Sequence, residues 1–417
     1  MFRDFRAAGP LPAHAQLVRS PYGTPEHPLE PKRRRGGFGG MMLGATTALT
    51  LGIGAVAIGG EYLTAPAPDV MLRTGIAFSA DGLALVPYDR AGAGGLLAEL
   101  SSDASAVRLA AVDLASGETR WDVQLADELD RDAAAVAAGA EYAYVATADG
   151  LQVRDLDDGA LVTGDVPGLE AVGSGTAAYG FDPAAGVVAL DVDGGLHTVA
   201  LDALEALPAD PAVAEAWRGR LAAEGDAPAL GGTTSTTASV GEDATVSLEP
   251  TAAGALGASL AVEDAAGRRT LGAGVYYEAA IVLDRTAAAA AWEIDVEGLI
   301  DGVLEDPAAA VDLALPGGVA AGAASGHVLV EHRTEPGAEG FTLTVVDLAT
   351  GRPTASLATA DRLGRSMTAP GGHTVVAAVP AGGVLLSDLV IVAPDGSVDR
   401  AVFGDLDLFG DPADRNL

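Results

Sequence analysis

The chain contains no cysteine, a single lysine (Lys32) and a single asparagine (Asn416), and aromatic residues make up only 5% of its 417 positions. Without cysteine there are no disulfides, thiolate metal sites, catalytic thiols or lipid-modified cysteine anchor. A large domain without disulfides must hold together by burial and sheet closure. Hydrophobic residues at 49% supply enough apolar material for that, so the chain is not a disordered one. Most of this material is Ala, Val and Leu. With 55 Gly and 23 Pro, it suits many short strands joined by tight turns. Positive charge is also scarce, with 24 Lys and Arg against 58 Asp and Glu, a net of −34. An acidic surface of that size keeps a domain soluble and repels phosphate backbones, so no nucleic-acid partner is expected.

The few basic groups are concentrated. Residues 1–35 hold Arg3, Arg6, Arg19, Lys32, Arg33, Arg34 and Arg35 against Asp4, Glu26 and Glu30, a net of +4 that leaves −38 on the remainder. Prolines 10, 12, 21, 25, 28 and 31 mark this tail as a disordered tether. Residues 36–60 carry no charge. At about 1.5 Å per residue they reach about 37 Å, enough to cross a ~30 Å hydrocarbon core as one transmembrane helix. Lys32, Arg33, Arg34 and Arg35 abut one end and Glu61 closes the other. The positive-inside rule then places the N-terminus in the cytoplasm and everything after a 61–69 linker outside the cell membrane. A cleaved signal is the rival. Its n-region is long, and Pro68 follows the Ala65-Pro66-Ala67 site where proline blocks cleavage. Arg34-Arg35 suggests a twin-arginine signal, but Phe38 lies one place too far along. Within the span Gly36, Gly40, Gly44, Ala48 and Gly52 form one smooth helical stripe, the geometry through which two anchors pack as a homodimer.

From residue 70 onward, short apolar runs alternate with Asp/Gly turns. Segments 77–89, 143–156, 186–201 and 389–403 each read as strand, tight turn, strand. A longer unit of apolar residue, acid, three residues and glycine recurs at Asp113…Gly117, Asp155…Gly159, Asp191…Gly195, Glu263…Gly267 and Asp347…Gly351, with a degenerate copy ending at Gly396. A period near 40 residues indicates a blade-by-blade array. The expectation is an all-β propeller of four-stranded blades over residues 70–417, about seven of them or else eight. In each unit the Asp caps a turn and the Gly takes a left-handed position.

The copy Ala111-Val112-Asp113-Leu114-Ala115-Ser116-Gly117-Glu118-Thr119-Arg120-Trp121 resembles the repeat of pyrroloquinoline-quinone-type (PQQ-like) β-propellers, Ala-x-Asp-x-x-Thr-Gly-x-x-x-Trp. Residues 345–351 match all but the Trp, whose place Ala355 takes; Thr163, Val199 and Leu271 stand there in the other copies. The resemblance implies that Trp121 wedges between neighbouring blades. It also raises a quinone-dependent dehydrogenase, but the vicinal cysteine pair usual there is absent, and Trp121 is already used by the wedge. The composition, rich in Ala, Gly and Arg, resembles that of a high-GC bacterium such as an actinobacterium, or a haloarchaeon as second choice.

One stretch interrupts the array. Residues 210–225 read as a helix with Asp210 as N-cap, Pro211 at its first position and Gly225 as terminator, and a Gly/Thr/Ser run over 231–239 follows. This insertion, near 202–240, is expected to lie over one propeller face as a partner-binding element. His327 and His332, five apart on a strand, face opposite sides and form no metal site, and the histidines in general read as turn or surface residues. Carboxylates two apart at Asp155/Asp157, Asp191/Asp193 and Asp405/Asp407 are spaced as in calcium loops but read as turn caps; no cofactor follows, and calcium is the one ion they would suit. Two functions stay open. One is a membrane-anchored binding or scaffold module for an envelope protein, peptide or glycan; the other is an oxidoreductase or hydrolase with its site in the propeller channel.

Overall fold

A computed structural model describes residues 68–92, 105–127, 129, 131–172, 175–222, 234–251, 257–285 and 318–404. The chain divides into two units, Met1–Gly60 and Glu61–Leu417, and every described residue lies in the second. The basic cluster Lys32–Arg35, the 36–60 span with its small-residue stripe, Gly225, Asp405 and Asp407 fall outside the described residues. Among those described, no helix is long and apolar enough to cross a membrane.

The alternating runs form antiparallel, mostly four-stranded sheets. Sheet 1 holds β1 (Asp69–Leu72), β2 (Ala77–Phe78), β3 (Leu83–Ala91), β4 (Ser105–Asp113) and β5 (Thr119–Ala126). Sheet 2 follows with β6 (Ala133–Ala138), β7 (Tyr142–Thr147), β8 (Gly150–Asp155) and β9 (Leu161–Thr163). Sheet 3 is β10 (Tyr179–Asp182), β11 (Gly186–Leu190), β12 (Leu196–Val199) and β13 (Leu207–Pro208). A helix, α1 (Pro211–Trp217), comes next.

An eight-stranded sheet then runs through β14 (Thr234–Ser235), β15 (Thr237–Ser239), β16 (Thr245–Pro250), β17 (Gly257–Asp264), β18 (Gly267–Val282), β19 (His327–Arg333), β20 (Phe341–Asp347) and β21 (Pro353–Thr359). It divides inside β18. Up to Tyr277 this strand pairs with β17; beyond a register shift between Tyr277 and Ala280 it pairs with β19. Glu278 sits at the shift with φ of 45°, held by an ion pair to Arg333 at 2.8 Å. β18 thus closes one four-stranded group, sheet 4, and opens the next, sheet 5. Sheet 6 is β22 (Ser366–Thr368), β23 (Thr374–Ala378), β24 (Asp388–Val392) and β25 (Val398–Val402). All four hairpins expected from the sequence are present, and the described residues hold six such blade-like sheets.

The core lies between sheets rather than inside any one of them. Leu85, Leu109 and Trp121 of sheet 1 pack with Ala135 and Val145 of sheet 2. Tyr144 and Val153 of sheet 2 pack with Val187 and Val199 of sheet 3. Leu260 and Leu271 meet Val328 and Val330 across sheets 4 and 5, and Leu329 and Val345 meet Val376 and Val390 across sheets 5 and 6. Sheet 6 then packs back on sheet 1, with Leu389 and Ile391 against Val86 and Tyr88. The sheets therefore follow one another face to face in the order 4-5-6-1-2-3, the succession of propeller blades. No hydrophobic cluster among the described residues joins sheet 3 to sheet 4. β6 reads AAAVAA, a poor strand-former by propensity. Its small side chains suit a strand that touches sheet 1 on one side and sheet 3 on the other.

Candidate functional site

The repeat residues are the hinges of these seams. Asp113 Oδ1 accepts the amides of Ala115 at 2.9 Å and Ser116 at 3.2 Å, and Gly117 takes φ of 72°. Asp155 caps through the Asp157 amide at 2.8 Å with Gly159 at 74°, and Asp347 through the Thr350 amide at 2.6 Å with Gly351 at 67°. Gly159 does a second job. A Cβ there would lie 2.7 Å from Trp121 Cε3, so its lack of a side chain lets the sheet 2 turn seat on the indole. Trp121, 5% exposed, donates its Nε1–H to the Leu156 carbonyl at 2.8 Å. The wedge implied by the repeat is therefore present between sheets 1 and 2.

Two repeat assignments need correction. In the third copy the left-handed residue is Gly194 (φ 85°), not Gly195. Gly195 instead donates its amide to Asp191 Oδ1 at 2.7 Å. In the copy near 263 the cap is Asp264, the last residue of β17, which accepts the Ala266 amide at 2.8 Å.

Several buried ionisable groups are committed to close partners. Asp122 accepts from Tyr88 Oη at 2.5 Å and from Arg108 Nε at 2.8 Å, all three buried in sheet 1. Burial, then the Asp122 charge, pushes the Tyr88 hydroxyl far above its ordinary value, so it stays a donor. Glu331, with no exposed surface, accepts from Arg362 Nη1 and from the Leu363 amide, both at 2.6 Å, and burial raises its carboxyl pKa. Arg73 binds Asp89 at 2.6 Å and reaches Asp132 at 3.5 Å; Asp132 in turn accepts from Thr176, tying sheets 1, 2 and 3 together.

The histidines depart from expectation in burial but not in direction. His327 and His332 are 5% and 9% exposed rather than surface residues. They do face opposite sides of β19. His332 stacks edge-on to Tyr276 of sheet 4, ring centroids 4.9 Å apart, while His327 lies against Gly396 in the sheet 6 turn. Nε2 of His332 lies 2.9 Å from Thr344 Oγ1, which is 3.0 Å from Ser356 Oγ, and burial lowers the imidazole pKa. His197 sits 3.2 Å from Asp191. The carboxylates of Asp155 and Asp191 are occupied by backbone amides. Among the described residues no group of three His, Asp or Glu side chains is placed to hold a metal.

The insertion gives the largest feature that sequence patterning read only in part. α1 begins as expected, with Asp210 Oδ1 accepting the Ala212 amide at 2.9 Å and proline at its start. It stops at Trp217, well before Gly225, because the chain turns at Gly219 with φ of 76°. It lies on the face of sheet 3 away from sheet 2. Trp217 donates to Asp182 Oδ2 at 2.9 Å, the first cause of a lowered Asp182 pKa, and its ring covers Gly180, where any Cβ would overlap it. A glycine inside a strand marks such close backbone approach, and Gly180 is the signal that sequence reading missed.

Around this capped sheet the surface is unusually apolar. Among the described residues, seven of the twelve large hydrophobic residues that are exposed fall between 161 and 207: Leu161, Val162, Phe181, Val192, Leu201, Leu204 and Leu207. The outer strands there, β9 and β13, are three and two residues long. A cavity of about 330 Å³ opens beside them, lined by Asp149, Asp165, Glu170 and Tyr179.

No protein-family model matches the chain, and no curated protein matches it. Solved structures are remotely similar. They include the AtxE2 isopeptidase without ligand (7% identity over 81% of this chain and 52% of that one, TM-score 0.36). The β-propeller domain of the trilobed protease of Pyrococcus furiosus is another (9%, 81% and 85%, 0.21). A third is the quinohemoprotein alcohol dehydrogenase ADHIIG of Pseudomonas putida HK5 (13%, 80% and 67%, 0.18).

Proposed function

We propose that the chain is a binding or scaffold module without catalysis, a PQQ-like propeller of about seven blades held outside the cell by the 36–60 anchor. In this reading Lys32–Arg35 stay in the cytoplasm, residues 61–69 are the tether, and the Gly36–Gly52 stripe pairs two anchors. The observation that supports a binding role is the concentration of exposed apolar side chains on sheets 2 and 3, beside a sheet face already closed by α1. Patches of that kind on a soluble surface mark contact with another macromolecule. Their apolar character favours an envelope protein or peptide over a glycan. Against a catalytic reading, the buried carboxylates Asp122 and Glu331 are taken up by Arg108, Tyr88 and Arg362 instead of facing open space.

Proximity labelling in cells with the full-length chain tests this. Val192→Asp and Leu207→Asp, both more than half exposed, leave the fold intact and reduce labelling of one envelope protein at least tenfold. An identical labelled set in the wild type and both variants overturns the assignment of the surface. Protease added to intact cells tests the orientation, since resistance of residues 70–404 while other surface proteins are cut rules it out.

A further inference from the structure

The connection between β23 and β24 lies beside the point where the chain enters the described fold. Its Leu386 packs on the core between sheets 6 and 1, and the Leu386 carbonyl accepts the Leu72 amide of β1 at 2.7 Å. A turn closed by the Gly383 amide on the Pro380 carbonyl at 2.8 Å, with Gly382 at φ of 81°, carries the tip outward. At that tip Val384 is 90% exposed, more than any other large hydrophobic side chain among the described residues. With Leu385 it lines a groove of about 470 Å³, together with Phe403 and with Pro68 and Val70 at the start of sheet 1. The acids of the groove are Asp69 and Asp388, and Arg400 holds the second at 3.3 Å.

Antiparallel strands alternate in direction, so in each sheet the connection between the second and third strands lies at the end where the first strand begins. In sheets 2, 3 and 5 this connection carries acids: Asp149 in sheet 2, Asp191 and Asp193 in sheet 3, and Glu335 and Glu339 in sheet 5. In sheet 6 it spans residues 379–387 and carries no charge of either sign. Of these four connections, only the one next to Pro68 is apolar.

We propose that this loop rests in the outer leaflet of the membrane that holds the chain, with Val384 and Leu385 below the headgroups. The inference rests on the 36–60 anchor of the proposed function and is independent of the partner surface on sheets 2 and 3. Residues 61–69 reach at most about 30 Å, so the end of sheet 1 that carries Asp69 stays near the bilayer. Two apolar side chains hold a bilayer only weakly by themselves. A tether this short keeps their local concentration on the order of millimolar, where a weak contact suffices. An acidic domain has no electrostatic attraction to the headgroups, which leaves apolar burial as the contact.

Because the chain contains no cysteine, a single introduced thiol takes an environment-sensitive dye at one position only. The test labels full-length Val384→Cys and, as the control, Ala115→Cys, in the turn between β4 and β5 at the opposite end of sheet 1. Both are reconstituted in phosphatidylcholine vesicles. Lipid with a nitroxide on its acyl chain quenches the dye at 384 about twofold more than the dye at 115, or better. The dye is itself apolar, so a second measurement keeps Val384 in place. With the dye at Ala381→Cys, an exposed site in the same loop, adding Val384→Asp lowers the quenching by about half, because a carboxylate resists entry into lipid. Equal quenching at 384 and 115, in a chain that withstands an alkaline carbonate wash, overturns the loop contact and leaves the anchor standing. Release of the chain by that wash removes the anchor, and the inference with it. A blue shift at 384 that nitroxide lipid does not quench puts a second copy of the chain in the lipid's place and overturns the proposal. Quenching at 381 that Val384→Asp leaves unchanged overturns it as well.

Discussion

The seam between sheets 1 and 2 and the seam between sheets 2 and 3 join neighbours of the same kind by different means. In the first, the repeat turn carrying Gly159 sits directly on Trp121. In the second, Thr163 stands where the tryptophan would be, and Gly195 meets only its own Asp191. Asp202, a non-glycine residue with φ of 63°, replaces the wedge. Its carboxylate accepts the amides of Ala140, Glu141 and Tyr142 at 3.0, 2.8 and 3.2 Å, clasping the β6–β7 turn of sheet 2. To its apolar packing one seam adds a buried ring, the other a polar clasp at the rim. A buried contact resists solvent, pH and salt, whereas a rim contact responds to all three. The difference also fits position in the array, since sheet 2 is followed by a sheet whose other face carries a helix.

The largest effect should come from the wedge. Trp121→Ala removes a buried indole and leaves a cavity and an orphaned Leu156 carbonyl, and should lower stability by about 3–5 kcal/mol in denaturant unfolding. Gly159→Ala attacks the same contact from the other side, by adding a Cβ 2.7 Å from the ring at a residue with φ of 74°. Its cost should reach at least about 2 kcal/mol, because strain and overpacking act together. If Gly159→Ala were neutral, the ring and the turn would not be in the contact described. Like-for-like changes in the next seam, Thr163→Ala and Gly194→Ala, should cost less than Trp121→Ala by a wide margin.

A smaller and more local effect should follow from uncapping sheet 3. Trp217→Ala frees Asp182 and uncovers Gly180, and Gly180→Ala displaces the same ring while leaving Trp217 in the sequence. Both should increase hydrogen exchange over residues 179–199 by about tenfold, equivalent to ~1.4 kcal/mol of local opening, and leave sheets 5 and 6 unchanged. Agreement between the two variants is the informative part, because they share only the contact. Protection unaltered in both would mean that α1 does not close that face.

Much of this was legible in the sequence, for a physical reason. Asp-x-x-x-Gly is a local device: the carboxylate caps amides two or three residues on, and the glycine turns the chain, so the hairpins at 77–89, 143–156, 186–201 and 389–403 and the caps at Asp113, Asp155 and Asp347 could be read directly. The single tryptophan wedge was legible because a known repeat specifies it. Contacts between residues far apart in the chain carry no such mark. Nothing local in Asp202 announces that it clasps residues about sixty positions earlier. The histidines show the same limit. Their opposite facing follows from strand period, but their burial depends on which sheets close over β19. Gly194 displaced Gly195 for a subtler reason. Adjacent glycines leave the choice of left-handed residue to the turn's hydrogen bonds, and Asp191 takes the Gly195 amide.

The smallest effect is also the one that separates the two seams most cleanly. Burial works to raise the Asp202 pKa, but the three amides outweigh it and hold the carboxyl below its ordinary value. A carboxylate with a depressed folded pKa contributes stability above its unfolded pKa, and that contribution disappears as pH falls through the folded one. Asp202→Ala, by analogy with the loss of a capping side chain, should cost about 1 kcal/mol at neutral pH. Asp202→Asn should cost less, since asparagine tolerates positive φ and keeps one acceptor. The difference in melting temperature between wild type and Asp202→Ala should shrink as pH drops below about 3.9, the ordinary aspartate value. The difference for Trp121→Ala should not follow that course, because the indole does not titrate. A gap for Asp202→Ala that held constant from neutral to acid pH would show that the clasp acts through packing instead of charge, and the contrast between a buried and a polar seam would not hold.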